Sequence, residues 1–124
     1  MMDHLGVNVN DIASSKKFYE KALSSVSIKT LSEWGNVAVG FGIEKPTFWI
    51  AKADEKHPHS TGVHIAFTAS SRAIVDMFYK DAIAAGGKDN GAPGLRPQYH
   101  KDYYGAFVFD LDGNNIEAVC HNPE

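Results

Sequence analysis

The sequence predicts an α+β fold of two tandem β-α-β-β-β modules, and three observations carry that prediction. The stretch Tyr103 to His121, YYGAFVFDLDGNNIEAVCH, reads as two strands around a tight turn. An opening strand-and-helix pattern returns after a shift of 60 positions, which lays His64 on His4 and Phe78-Tyr79-Lys80-Asp81-Ala82-Ile83 on Phe18-Tyr19-Glu20-Lys21-Ala22-Leu23. Strand and helix agree in register, the mark of an internal duplication. Between the copies, residues 53–61, ADEKHPHST, are charged and carry a proline, as a linker does.

In chain order, Met2 to Asn10 alternates as a strand, with Leu5, Val7 and Val9 on one face and His4, Gly6 and Asn8 on the other. Asp11 is placed to cap a helix running to about Leu23, with Phe18 and Ala22 four apart, Tyr19 and Leu23 likewise, and the lysines outward. Ile28 to Trp34 and Asn36 to Gly42 form a hairpin pivoting near Gly35, and Pro46 to Lys52 adds a strand with Thr47, Trp49 and Ala51 on one face. That completes module 1, residues 1–53.

After a linker at 54–61 the pattern restarts as module 2, residues 62–121. Val63, Ile65 and Phe67 face one way and His64, Ala66 and Thr68 the other; Ser70-Ser71 opens a helix that runs to about Ala85 and stops at Gly86-Gly87. Gly91 to Pro97 is expected as a Gly/Pro loop, the main insertion. The closing hairpin turns at Asp112-Gly113-Asn114, since Asp-Gly and Gly-Asn supply the positive φ angles such turns need. In its second strand Ile116, Ala118 and Cys120 form a small apolar face, which leaves Asn115, Glu117 and Val119 on the other.

Composition narrows the function classes. A chain of 124 residues is one domain with a real core. Its 12 basic and 15 acidic residues, net −3 and without a basic run, give no nucleic-acid surface. The single cysteine, Cys120, supports neither a disulfide framework nor a thiolate zinc site. No stretch is apolar enough for a membrane span or a leader, so a reduced, cytoplasmic setting is expected.

Two modules, each with one helix over one sheet face, leave the other faces to curl around a cleft. Its expected lining is His4, Asn8, Thr47, Trp49, His64, Thr68, Phe107, Phe109 and Glu117, a mixture of ligand-type and aromatic side chains. His4, His64 and Glu117, two neutral imidazoles and one carboxylate on three strands, make a facial triad for one divalent ion, Fe(II), Mn(II), Ni(II) or Zn(II), with positions left open for substrate or water. Trp49, Phe107 and Phe109 form an apolar wall for a small ligand, and Asn8 stands on the same face. The segment from Arg96 to Tyr104 reads as a lid, from which His100 and Tyr104 are the expected proton-transfer groups. His57 and His59, flanking Pro58, are expected to be solvated.

The whole chain resembles the vicinal oxygen chelate superfamily, the group of glyoxalases, bleomycin-resistance proteins and extradiol dioxygenases. The segments DHLGVNVNDIASSKKFYEKAL, GVHIAFTA and YYGAFVFDLDGNNIEAV carry the resemblance. It implies a U-shaped, partly closed mixed sheet around a metal cleft, homodimers, and ligands at His4, His64 and Glu117. Glyoxalase I adds a fourth ligand, a glutamate, from the last strand of its first module. Aligning Phe41 with Phe109 puts Trp49 at that place, and an indole can neither ligate nor take part in proton transfer there. The resemblance therefore implies a metal-dependent enzyme for a small compound chelated through vicinal oxygens, nearer to dioxygenases and thiol transferases than to lactoylglutathione lyase. The alternative is a metal-free protein that sequesters an aromatic molecule, in which the triad would be unnecessary; a third is a catalytically inactive relative.

Overall fold

Alternation of apolar and polar residues organises the chain into two four-stranded mixed sheets. The computed structural model describes every residue, Met1–Glu124. The first module contains β1 (Leu5–Val9), α1 (Ile12–Ala22), a 3₁₀ turn at Ser24–Val26, β2 (Lys29–Trp34), β3 (Ala38–Gly42) and β4 (Pro46–Lys52). The second contains β5 (His64–Thr68), α2 (Arg72–Ala84), β6 (Lys88–Leu95), β7 (Tyr104–Phe109) and β8 (Asn115–Cys120). Strand order is β1-β4-β3-β2 in one sheet and β5-β8-β7-β6 in the other, with β1–β4 and β5–β8 parallel and the rest antiparallel. The duplication read in the sequence is thus a duplication of topology.

Local chemistry sets the element ends. The Asp11 side chain accepts from the Ser14 N–H at 3.2 Å and Ser71 from the Ile74 N–H at 3.2 Å, so each helix opens on a capping oxygen bonded to the N–H three residues on. The second helix closes on Gly86 at φ 108°, and the last hairpin turns through Gly113 at φ 89°.

One feature departs from the sequence expectation. Gly91 to Pro97 is not an inserted loop: residues through Leu95 belong to β6, whose pairing with β7 slips at Asp89/Gly91 and again at Gly91/Gly94. The reason is position. β6 pairs only with β7, and an edge strand tolerates the missing N–H of Pro93 and the bulges that glycines permit.

The helix-side faces of both sheets meet in a single core. Val7 and Val9 of β1, Phe48 and Ile50 of β4, Ile65 of β5, Val108 of β7 and Ile116 of β8 belong to one buried cluster with Phe18, Tyr19, Val75 and Phe78 of the helices. Phe48 and Phe67 bring the two sheets into edge-to-face contact at 5.6 Å between ring centres. A polar latch crosses the same boundary: the buried Tyr19 hydroxyl on α1 donates to Asp110 beside the last turn, and Asp110 also accepts from the main chain of Asp112 and Asn114. Each sheet consequently turns its other face away from the common core. The two sheets share no strand and do not close on one another within the chain.

Candidate functional site

The outward face of the second sheet carries a buried acid. Glu117 lies in β8 opposite Phe107 of β7 and Ala66 of β5, and its side chain is 1% exposed although it points away from the core. Two side chains bond to it. His64, at the start of β5, brings Nε2 to 2.8 Å from Glu117 Oε1 while its ring stays 51% exposed. The Tyr103 hydroxyl donates to the other oxygen, Oε2. Gly105 supplies the room for this, because a Cβ there would sit 3.1 Å from Oε2 and 3.2 Å from the Tyr103 ring. Burial first, and then the bond to Glu117, push the Tyr103 phenol well above its ordinary range, so it remains a donor rather than a base.

Tyr103 is itself held by its neighbours. Its ring meets Tyr99 at 4.8 Å, His121 at 5.3 Å and His100 at 5.5 Å, all edge-on. The Asp102 N–H donates to His100 Nδ1, so His100 Nε2 carries the hydrogen and donates to His121 Nδ1 at 2.9 Å. The segment expected as a lid is closed by its own backbone: Arg96 N–H to Tyr103 O at 2.7 Å, Tyr99 N–H to Arg96 O and Tyr103 N–H to His100 O. It is the β6–β7 connection, and its aromatics position Tyr103.

The outward face of the first sheet carries the remaining expected residues. His4 precedes β1 with a side chain 58% exposed; its Nδ1 bonds to Asp3 Oδ1 at 2.7 Å, and Lys45 Nζ bonds to the second Asp3 oxygen, also at 2.7 Å. The bonds from Lys45 and His4 hold the Asp3 carboxyl down at about 2. With Nδ1 engaged by a carboxylate, His4 Nε2 is left free, the arrangement that orients a histidine ligand. The indole of Trp49 lies over Gly40, where a Cβ would meet it at 2.9 Å.

The structure therefore brings together His64 and Glu117 and sets His4 apart on the other sheet. No three His, Cys, Asp or Glu side chains of the chain converge as a metal-holding group. Trp49 stands with His4, and Phe107 with His64, their ring centres 6.1 Å apart. Phe109 falls at the far end of β7, opposite Asn115, and lines a surface concavity of about 410 Å³ with Lys88 and Leu111. That hollow contains neither His64 nor Glu117. Asn8 is bound into the linker, its main-chain N–H to Ser60 Oγ and its amide to Pro58 O. His57 and His59 are exposed, as expected, with His57 paired to Asp54.

Tyr104 is not at the acid. Its hydroxyl donates to Asp76 on α2 at 2.7 Å, and Arg72 lies over its ring at 5.3 Å. The bond to Asp76, ahead of burial, pushes this phenol up to about 12. The tyrosine at Glu117 is Tyr103, and strand alternation could have found it. Tyr103, Gly105 and Phe107 share one parity, whereas Tyr104, Ala106 and Val108 share the core-facing one. His100 stays one ring away from Glu117, bonded to His121.

With this geometry in place, comparison with known proteins adds the lineage. Residues 1–118 match the family model described as Glyoxalase/Bleomycin resistance protein/Dioxygenase superfamily. Among solved structures, a glyoxalase/bleomycin resistance protein from Albidiferax ferrireducens is 31% identical, with 98% of each chain covered and a TM-score of 0.82. A glyoxalase/bleomycin resistance protein/dioxygenase family enzyme from Burkholderia phytofirmans shares the fold at 18% identity, TM-score 0.78 and 98% of each chain. So does lactoylglutathione lyase from Agrobacterium tumefaciens, at 16% identity, TM-score 0.71, and 97% and 92% of the two chains. No curated protein matches the sequence.

Proposed function

The chain belongs to the Glyoxalase/Bleomycin resistance protein/Dioxygenase superfamily, and from that premise we propose that it is a divalent-metal-dependent enzyme for a small organic substrate chelated through neighbouring oxygens. The observation that carries this reading is the His64–Glu117 pair: an imidazole nitrogen and a carboxylate oxygen at 2.8 Å on an outward sheet face, with the acid buried and its second oxygen occupied by Tyr103. A solvated or purely structural pair has no reason to sink a carboxylate to 1% exposure on the face away from the core.

The donor set fits a metal in part. His64 and Glu117 would supply two ligands from one chain, and His4, with Nδ1 held by Asp3, would supply the third from a second copy. A two-fold pairing that lays the His4 face of one copy against the His64 face of the other builds two equal sites, the ordinary outcome of an isologous dimer. Bound there, Fe(II), Mn(II), Ni(II) or Zn(II) would act as a Lewis acid on chelated oxygens. The chain's own contributions are positional. Tyr103 fixes the Glu117 carboxylate so that Oε1 alone is presented, while Trp49 from one face and Phe107 from the other wall off water. With Tyr103 and Tyr104 both held as phenols, neither serves as the base. Trp49 in place of a second carboxylate disfavours the proton shuttling of lactoylglutathione lyase.

Complementation tests the proposal. His4→Ala and Glu117→Ala should each lose Ni(II) binding by calorimetry, and mixing the two, after unfolding and refolding together, should restore it, because a mixed dimer holds one intact site. Wild-type affinity in either variant alone, or no recovery on mixing, would sink the shared triad. If aromatic ligands bind the metal-stripped protein as well as the loaded one, and none turns over, the sequestration reading replaces the enzymatic one.

A further inference from the structure

The arginine of the β6–β7 connection has no acidic partner. Arg96 makes no ion pair. Its guanidinium is nevertheless fixed: Nη1 donates to Gly94 O at 2.8 Å, Nη2 donates to Ala92 O at 2.7 Å, and Cζ lies over the Phe107 ring at 5.4 Å. The same ring stands 6.1 Å from His64, and Phe107 is the cross-strand neighbour of Glu117. The His64 ring and the Arg96 charge are therefore no farther apart than those two distances laid end to end. Arg96 is also tied to Tyr103, because its main-chain N–H donates to Tyr103 O at 2.7 Å. Gly91 and Gly94 let the strand pass close by, since a Cβ at either would stand 3.2 Å from the guanidinium.

A preorganised guanidinium with free N–H groups and no carboxylate of its own is a recognition element for an anion, because its fork matches carboxylate geometry and its charge is otherwise uncompensated. We infer that Arg96 reads a carboxylate on the substrate, so that the ligand class is a small, flat, anionic compound with neighbouring oxygens at His64–Glu117, its ring on Phe107 and its carboxylate at Arg96. This rests on the metal-site reading above and names the substrate class for it. The glycines explain the bulged edge strand in the same terms: the slips in β6 place Arg96 on the site's face beside the start of β7.

The test compares protocatechuate, a catechol with one ring carboxylate, with catechol itself, by calorimetry on the Ni(II)-loaded full chain and on the chain stripped of metal. Wild type should bind protocatechuate about tenfold or more tightly than catechol, the range of one charge-assisted bond. Arg96→Gln should collapse that ratio toward one, and Arg96→Lys should recover only part of it, since a point charge lacks the fork. A circular-dichroism spectrum and Ni(II) affinity equal to wild type keep the variants interpretable, because Arg96 touches neither the core nor the metal ligands. Equal affinity for the two probes in wild type, or an unchanged ratio in Arg96→Gln, overturns the inference. If the carboxylate preference and its dependence on Arg96 appear in a chain that binds no Ni(II), the anion site stands and the metal reading fails; if both probes need metal and neither distinguishes Arg96, the reverse holds.

Discussion

Replacing Glu117 by Gln separates a functional acid from a structural one. The Glu117 carboxylate is 1% exposed, with only His64 and the Tyr103 hydroxyl as protein partners. Its burial is opposed by a desolvation penalty of several kcal/mol per ion, which a half-exposed imidazole offsets by only about 1 kcal/mol. Glutamine keeps the volume and an oxygen for the Tyr103 hydroxyl; it gives up about 1 kcal/mol as that bond changes from charge-assisted to neutral. These terms nearly cancel or favour the variant. Metal-free Glu117→Gln should therefore unfold in urea within about 1 kcal/mol of wild type, or above it, while its Ni(II) affinity falls at least about a hundredfold. Glu117→Ala is the control: it leaves a cavity and an orphaned Tyr103 hydroxyl, at a cost of about 2–4 kcal/mol. A loss of about 3 kcal/mol or more in Glu117→Gln would refute the reasoning, because breaking a needed buried ion pair costs that much.

Other perturbations follow from the geometry. Tyr19→Phe keeps the ring contacts with Phe18, Phe41 and Phe48 but removes the buried donor to Asp110, and should cost about 1.5–3 kcal/mol in urea unfolding; a loss near zero would mean the latch between the modules is idle. The Tyr104 phenol, pushed up to about 12 from an ordinary 10.0, keeps its proton in the folded chain after the unfolded chain has lost it. Stability should thus fall as pH rises from about 10 toward about 12, and Tyr104→Phe should fall less across that window, with Tyr103, Tyr19 and Tyr79, whose phenols are also raised, supplying the remaining slope. Light scattering at micromolar concentration should give twice the 13.5 kDa chain mass, and a mass of one chain would remove the second copy from the site.

Local and periodic information was enough for the tandem architecture and for the chemistry of individual residues. Asp11 and Ser71 cap their helices, Gly113 turns the last hairpin, and two-residue alternation sends Val7, Ile65 and Ile116 into the core and His64 and Glu117 away from it, because these features depend on neighbours in sequence. The same alternation, followed to the start of β7, also separates Tyr103 from Tyr104. Sequence alone does not set which sheet faces share a core. That was decided by the packing of α1 and α2 between the sheets and by contacts such as Phe48 with Phe67 and Tyr19 with Asp110, which link residues far apart in the chain. Long-range packing turned the two ligand-bearing faces outward, so that His4 stands apart from His64 and Glu117. It also made β6 an edge strand, where bulges tolerate the glycines and proline that read as a loop. The role of Arg96 emerged only there, because its position over Phe107 depends on how that edge strand slips against its partner.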